Sequence, residues 1–303
     1  MILYGTNPIA WANDHDRTIG ADIPTEQILH EAGREIGFDG IEGGHRWPED
    51  PVRLRHLLAS YGLRYVTGCH STRLLTRPVT AEIGAIQPHL ARLRESGCAM
   101  CIVTEASNAI HGDDDRPLSQ RPVLDADGMV MLGQRIEALA EYLSAEHITL
   151  VYQPQMGTVV QAPEEIDAFM AATGPATKLL FDTGHCYLAG GDPAAMLARH
   201  IGRVAHVHAR NVRPDVMRRL HRDDLSYLDA VRRGIFTVPG DPEGAVDFLA
   251  CLRLLARSGY QGWLVVQAEQ DPARRNPLTY QLLGLTALRA MARAAGLERI
   301  DAI

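Results

Sequence analysis

The chain has 303 residues, 46% of them hydrophobic and 22% charged, a balance that supplies a large apolar core. Its formal net charge of −7 argues against binding a nucleic-acid backbone and suits a small-molecule enzyme. No run of about 18 apolar residues occurs, so no membrane span is expected. Met1-Ile2-Leu3-Tyr4-Gly5 lacks the basic and long apolar regions of a signal peptide, so the expected location is cytoplasmic.

In chain order, short apolar runs alternate with helical patterns. Residues 2–6 read as a strand and 24–36 as a helix, with Thr25 or Asp22 near its start. Residues 37–42 read as a turn and strand. A helix over 52–61 leads through Gly62 to a strand over 63–68. A helix over 80–96, closed by Gly97, precedes a strand over 101–105. Helices over 129–145, 163–172, 193–200 and 246–258 precede strands over 148–153, 178–182, 204–208 and 263–267. The last helix covers 277–295.

Eight such strands, each followed by a helix, predict an α/β fold: a (β/α)8 TIM barrel over residues 1–303 as a single domain. Gly5-Thr6-Asn7-Pro8 is not a G-x-G-x-x-G loop, which removes the main reason to expect a dinucleotide fold. The dispersed cysteines are no disulfide framework, and Cys98-Ala99-Met100-Cys101 reads as small buried residues. Two long connections, 107–128 and 211–245, follow strands 4 and 7. That is the face on which barrel enzymes keep their chemistry.

Polar residues gather at the strand ends: Glu42, His70, Glu105, Gln153, Gln155, Asp182, His185, His206, His208, Gln267 and Glu269. His206 and His208 are two apart and share a face, as do Gln153 and Gln155, and Gln267 and Glu269. Oxygen and imidazole donors converging from several strands suit a divalent metal such as Mn2+, Co2+ or Zn2+. Each also has a structural alternative: Glu42 as a barrel-closing group, Glu105 paired with Arg73, His70 on the pocket wall. The Arg213-to-Arg222 cluster reads as a solvated loop helix.

Several segments together resemble the xylose-isomerase-like barrel superfamily of sugar isomerases and epimerases, and most resemble its myo-inosose-2 dehydratases. They include Gly5-Thr6-Asn7-Pro8-Ile9-Ala10-Trp11, Met156-Gly157-Thr158-Val159-Val160-Gln161, Asp182-Thr183-Gly184-His185 and His206-Val207-His208. The resemblance implies metal ligands at Asp182, His208 and Glu269 or its neighbour Gln267, with Gln153 at the strand 5 position. It implies substrate contacts from Asn7, Trp11, Glu42, His206, Gln155 and Arg210, with His185 facing the substrate.

Four departures stand out. Gln153-Pro154-Gln155 replaces a His-rich end, Gln267 a Glu, Arg210-Asn211 a Lys-Asp pair, and Cys69-His70 an aromatic pair. Neutral amide ligands are weaker, so metal affinity is expected to be lower.

The expected reaction is dehydration of a keto-cyclitol such as 2-keto-myo-inositol. Glu269 or His185 is the expected base and His70 or Glu105 the expected acid. The alternatives are a sugar isomerase or epimerase, a 3-keto-glycoside β-eliminase, and a non-catalytic sugar-binding barrel. The expected partner is a small polyhydroxy keto compound, with further copies of the chain left open.

Overall fold

A computed structural model describes residues 1–298; the last five residues of the expected domain lie outside it. The chain opens with β1 (Ile2–Thr6), then α1 (Thr25–His30), which runs on as a π-helical stretch and stops at Gly37, whose φ is 82°. β2 (Gly40–Ile41), α2 (Pro51–Ser60), β3 (Arg64–Tyr65), β4 (Cys69–Thr72) and α3 (Val79–Glu95) follow. Next come β5 (Met100–Glu105), α4 (Ala126–Ala145), β6 (Thr149–Tyr152), α5 (Pro163–Ala172) and β7 (Lys178–Asp182). α6 (Thr183–Leu188), α7 (Pro193–His200) and β8 (Val204–Ala209) lead into an excursion. It holds β9 (Asn211–Val212), α8 (Pro214–Arg222), α9 (Tyr227–Arg232) and β10 (Phe236–Thr237). α10 (Phe248–Ser258), β11 (Gly262–Val266) and α11 (Pro277–Ala294) complete the chain. Asp50, Asp125, Asp192 and Asp247 cap helices through side-chain oxygens.

The main sheet runs β3-β2-β1-β11-β8-β7-β6-β5-β4, nine pieces in all. Its pairings are parallel, the arrangement that helical crossovers produce. β3 pairs with β2 and β4 with β5, yet only Val66, Thr67 and Gly68 separate β3 from β4. The two ends of the sheet are therefore pieces of one strand, and the sheet closes as the expected eight-stranded barrel.

The sequence reading ended this strand at Gly68, whereas it resumes over Cys69–Thr72. The interruption is a close approach. A Cβ on Gly68 would meet Tyr65 Oη at 2.7 Å and His89 Cε1 at 2.8 Å.

One apolar cluster joins the sheet to its surrounding helices. Inside the barrel Ile102, Val151 and Leu180 form a small apolar floor. A satellite cluster built from Leu118, Met156, Leu188, Tyr227 and Phe236 holds the excursion after β8. Cys98 and Cys101 are buried and unpaired. Among the described residues no helix is long and apolar enough to cross a membrane.

Candidate active site

Above that floor the strand ends enclose a cavity of about 180 Å³. Asn7, Glu42, Gln153, Gln155, His185, His208, Arg210, Gln267 and Glu269 all line it. Among the described lining residues, Arg210 is the only Arg or Lys.

A continuous run of charged contacts crosses the cavity wall. Glu42 Oε1 accepts from His206 Nε2 at 2.8 Å and His208 Nε2 at 3.0 Å, and its Oε2 accepts from Asn7 at 2.7 Å. Burial alone would raise the Glu42 carboxyl, yet His208 and His206 hold it well below the usual carboxylate range. The other ring nitrogen of His208, Nδ1, faces Asp182 Oδ2 at 3.4 Å. Burial would lower His208, but Glu42 and Asp182 on either side raise it to about 9.

Asp182 ends β7 and caps α6, its Oδ1 accepting from the His185 amide at 2.8 Å. Its Oδ2 lies 3.1 Å from Arg210 Nε. Burial would raise the Asp182 carboxyl, but Arg210, His185 and His208 pull it well down. The Arg210 guanidinium lies 4.4 Å over the Phe236 ring and reaches Glu269 Oε2 at 3.4 Å. Glu269 also accepts from Tyr227 Oη at 2.5 Å and Asn13 Nδ2 at 3.1 Å. Burial works against its ionisation, but His15, Arg210 and Tyr227 lower it.

Several buried polar atoms here lack a directed hydrogen-bond partner: Asp182 Oδ2, His185 Nδ1, His208 Nδ1 and Gln267 Oε1. Such atoms are costly and mark a place where a ligand would satisfy them. Glu42, His206 and His208 form a second grouping, with potential ligand atoms within 4.8 Å of one another, that could hold a metal ion. There, however, the Glu42 contacts already occupy both Nε2 atoms. His185 packs 5.5 Å from the Phe236 ring, and burial drives its imidazole down to about 3.

Five expected residues do not line the cavity: His70, Glu105, Trp11, His206 and Asp182, the last of which lies beside it against His208 and Arg210. Strand alternation explains two of them. Cys69 and Ser71 line the cavity, so His70 between them turns outward, where it meets Glu82 at 2.8 Å. Ile102 faces inward, so Glu105 three residues on faces outward. Its carboxylate accepts from Thr72 Oγ1 and the Leu74 amide at 2.8 and 2.7 Å, and from the Ser107 amide and hydroxyl. The structural alternative for Glu105, a pairing with an Arg such as Arg73, gives way to these donors. Trp11 is fully buried, donating to Glu31 at 2.6 Å. His206 sits behind Glu42, fully buried.

The sequence reading missed Asn13, His15, His111 and Tyr227. His15 and His111 line the cavity, and Asn13 and Tyr227 bond Glu269. The available signal was the length of the connections that carry His111 and Tyr227.

Residues 31–291 match the xylose isomerase-like TIM barrel family. The chain is 44% identical over 295 residues to the rhizopine catabolism protein MocC of Rhizobium meliloti, covering 97% of this chain and 90% of that protein. It is 37% identical over 283 residues to the inosose dehydratase of Geobacillus thermodenitrificans, covering 93% and 94%. Among solved structures it resembles the probable 3-DHS dehydratase AsbF of Bacillus anthracis, with a TM-score of 0.68, 14% identity and coverage of 95% and 98%. L-ribulose 3-epimerase gives a TM-score of 0.67 at 16% identity, covering each chain fully. With the family matched over most of its length and the fold shared with these structures, the chain belongs to the xylose isomerase-like TIM barrels.

Proposed function

We propose that this chain is a metal-assisted hydro-lyase that removes water from a keto-cyclitol such as 2-keto-myo-inositol. The observation that carries the reading is a small polar cavity into which His185, His208 and Gln267 bring buried polar atoms without a directed hydrogen-bond partner from the ends of β7, β8 and β11, with Asp182 set against His208 and Arg210 beside it. The inosose dehydratases among its relatives, at 36–37% identity, support it. Arg210 is already engaged by Asp182 and Glu269, so the cavity suits a neutral polyol better than a phosphorylated sugar.

The donor set fits a divalent cation. Gln267 Oε1 is unpartnered and Gln153 lines the same cavity, while Asp182 Oδ2 and His208 Nδ1 would join them on giving up their mutual contact at 3.4 Å and, for Asp182, the Arg210 Nε contact at 3.1 Å. When bound there, Mn2+, Co2+ or Zn2+ polarises the ketone and stabilises enolate charge. Glu42 orients His208 by accepting its Nε2 proton, and a cation at Nδ1 would displace the proton that the ring carries there toward Asp182 at pH 7.

His185 takes the α-proton. Its Nδ1 is unpartnered and it is neutral at pH 7, whereas Glu269 is already held by three donors. Burial makes His185 a modest base, and by the same token makes its imidazolium a strong acid. The imidazolium passes that proton to the β-hydroxyl, which leaves as water, so one residue serves both halves of the elimination. His70 and Glu105 lie outside the cavity and take no part.

Incubation with 2-keto-myo-inositol should produce an absorbing dione. Solvent deuterium entering the substrate without loss of water would replace this reading with an isomerase or epimerase. The substitutions at Gln153 and Gln267 favour one other reading, a sugar-binding barrel without turnover. About one tightly held Mn2+, Co2+ or Zn2+ per chain, lost in Asp182→Ala, counts against that reading.

A further inference from the structure

We propose that Arg232 is a positioning residue that clamps three loops into a roof over the cavity and so sets how well the substrate is retained. It is the last residue of α9. Its Nε and Nη2 donate to Asp16 Oδ2 at 3.0 and 2.7 Å. Its Nη1 and Nη2 donate to Asp114 Oδ1 and Oδ2 at 2.6 and 3.0 Å. Asp16 lies in the connection after β1, Asp114 in the connection after β5, and Arg232 in the excursion after β8. One guanidinium thus ties together three segments that are far apart in the chain, in the forked geometry that suits it to carboxylates.

Each clamped residue adjoins a group at the cavity. Asn13 Oδ1 accepts from the His15 and Asp16 amides at 2.7 and 2.9 Å, so residues 13–16 move as a unit. Asn13 in turn donates to Glu269, and His15 lines the cavity. Asp114 follows His111, whose ring meets that of His15 edge-on at 4.7 Å. Tyr227, the first residue of α9, donates to Glu269 and lies 6.4 Å from His111, ring to ring. The clamp therefore brings Asn13 and Tyr227 together on one carboxylate and closes His15 against His111.

The clamp itself sits at the rim. The Arg232 side chain is 37% exposed and that of Asp114 53%. The exposed Arg232–Asp114 pair is individually weak and screened by salt, while Asp16, 11% exposed, is the more buried anchor of the clamp.

The inference rests on the cavity being the substrate site, and the test separates the two. Hydrogen–deuterium exchange of the full chain without substrate compares the parent with Arg232→Ala and Arg232→Lys. Arg232→Ala should raise exchange in residues 13–19, 109–116 and 226–232 together and leave the barrel strands unchanged. A rise confined to 226–232 overturns the clamp.

With 2-keto-myo-inositol, Arg232→Ala should raise KM about tenfold and change kcat by less than about threefold. Arg232→Lys should recover part of that loss. Added salt should raise the parent's KM and leave that of Arg232→Ala flat. A fall in kcat at constant KM overturns the proposal. A parent that does not turn over this substrate counts against the dehydratase alone, because the exchange measurement still decides the clamp.

Discussion

Glu42 Oε1 and His208 Nε2 lie 3.0 Å apart although 166 positions separate the two residues in the chain. That contact joins the end of β2 to β8 across the barrel mouth. It also holds the Nε2 proton of His208, whose ring Glu42 and Asp182 together keep protonated up to about pH 9. Glu42→Gln keeps the shape but removes the charge, and an amide oxygen is a poorer acceptor for two imidazole donors. Stability should fall by about 1–3 kcal/mol in denaturant unfolding. The kcat/KM for 2-keto-myo-inositol should drop at least roughly tenfold. Parental activity in this variant would remove Glu42 from the positioning of His208.

Gly184 lies against the stem of Arg210: a Cβ there would meet Arg210 Cγ at 2.5 Å. Gly184→Ala adds no charge and removes none. It should nevertheless push the guanidinium off Asp182 and Glu269 and lower kcat/KM by roughly tenfold or more, as small misplacements at reacting centres do. Steady-state kinetics beside a thermal melt would show whether activity falls further than stability does.

Glu105 and His70 are expected to be structural. Glu105→Gln disturbs a buried carboxylate that accepts four hydrogen bonds and should cost about 1–3 kcal/mol of stability. The kcat of the folded enzyme should stay within about threefold of the parent in Glu105→Gln and in His70→Ala. A hundredfold loss of kcat in either variant would place that group in the chemistry after all.

Acid should loosen the fold well before the carboxylates titrate. Burial lowers His89 and His111 to about 4 and His185 to about 3, from 6.5. Between those values the unfolded chain binds protons that the folded chain refuses. Stability is therefore lost as pH falls from about 6.5 toward 4, at about 1.4 kcal/mol per pH unit for each histidine still neutral. Denaturant midpoints at several pH values in that window measure the slope, and a flat profile would contradict it.

Alternation of apolar strands with helices made the barrel legible in the sequence, because parallel strands covered on both faces are apolar throughout. The third strand was the exception. Cys69-His70-Ser71-Thr72 has no apolar run, and Thr67-Gly68 reads as a stop. Much of the polar cavity wall was legible too, since residues two apart share a face and His208, Gln267 and Glu269 stand at the ends of their strands. His70 and Glu105 also sit at strand ends, but one position of parity turns each outward. The roof was not legible residue by residue. Asn13, His15, His111 and Tyr227 lie on connections or a short loop helix, where position depends on ion pairs between distant loops and leaves no periodic trace.

Tyr227 and Phe236 belong at once to the satellite cluster that folds the excursion after β8 and to the surroundings of Glu269, Arg210 and His185. A substitution at either residue therefore acts on the cavity surroundings and on the folding of that insertion together. Transplanting the excursion between relatives would have to bring along Leu118 and Met156 from two other connections, or the grafted segment would arrive without the partners that shape it.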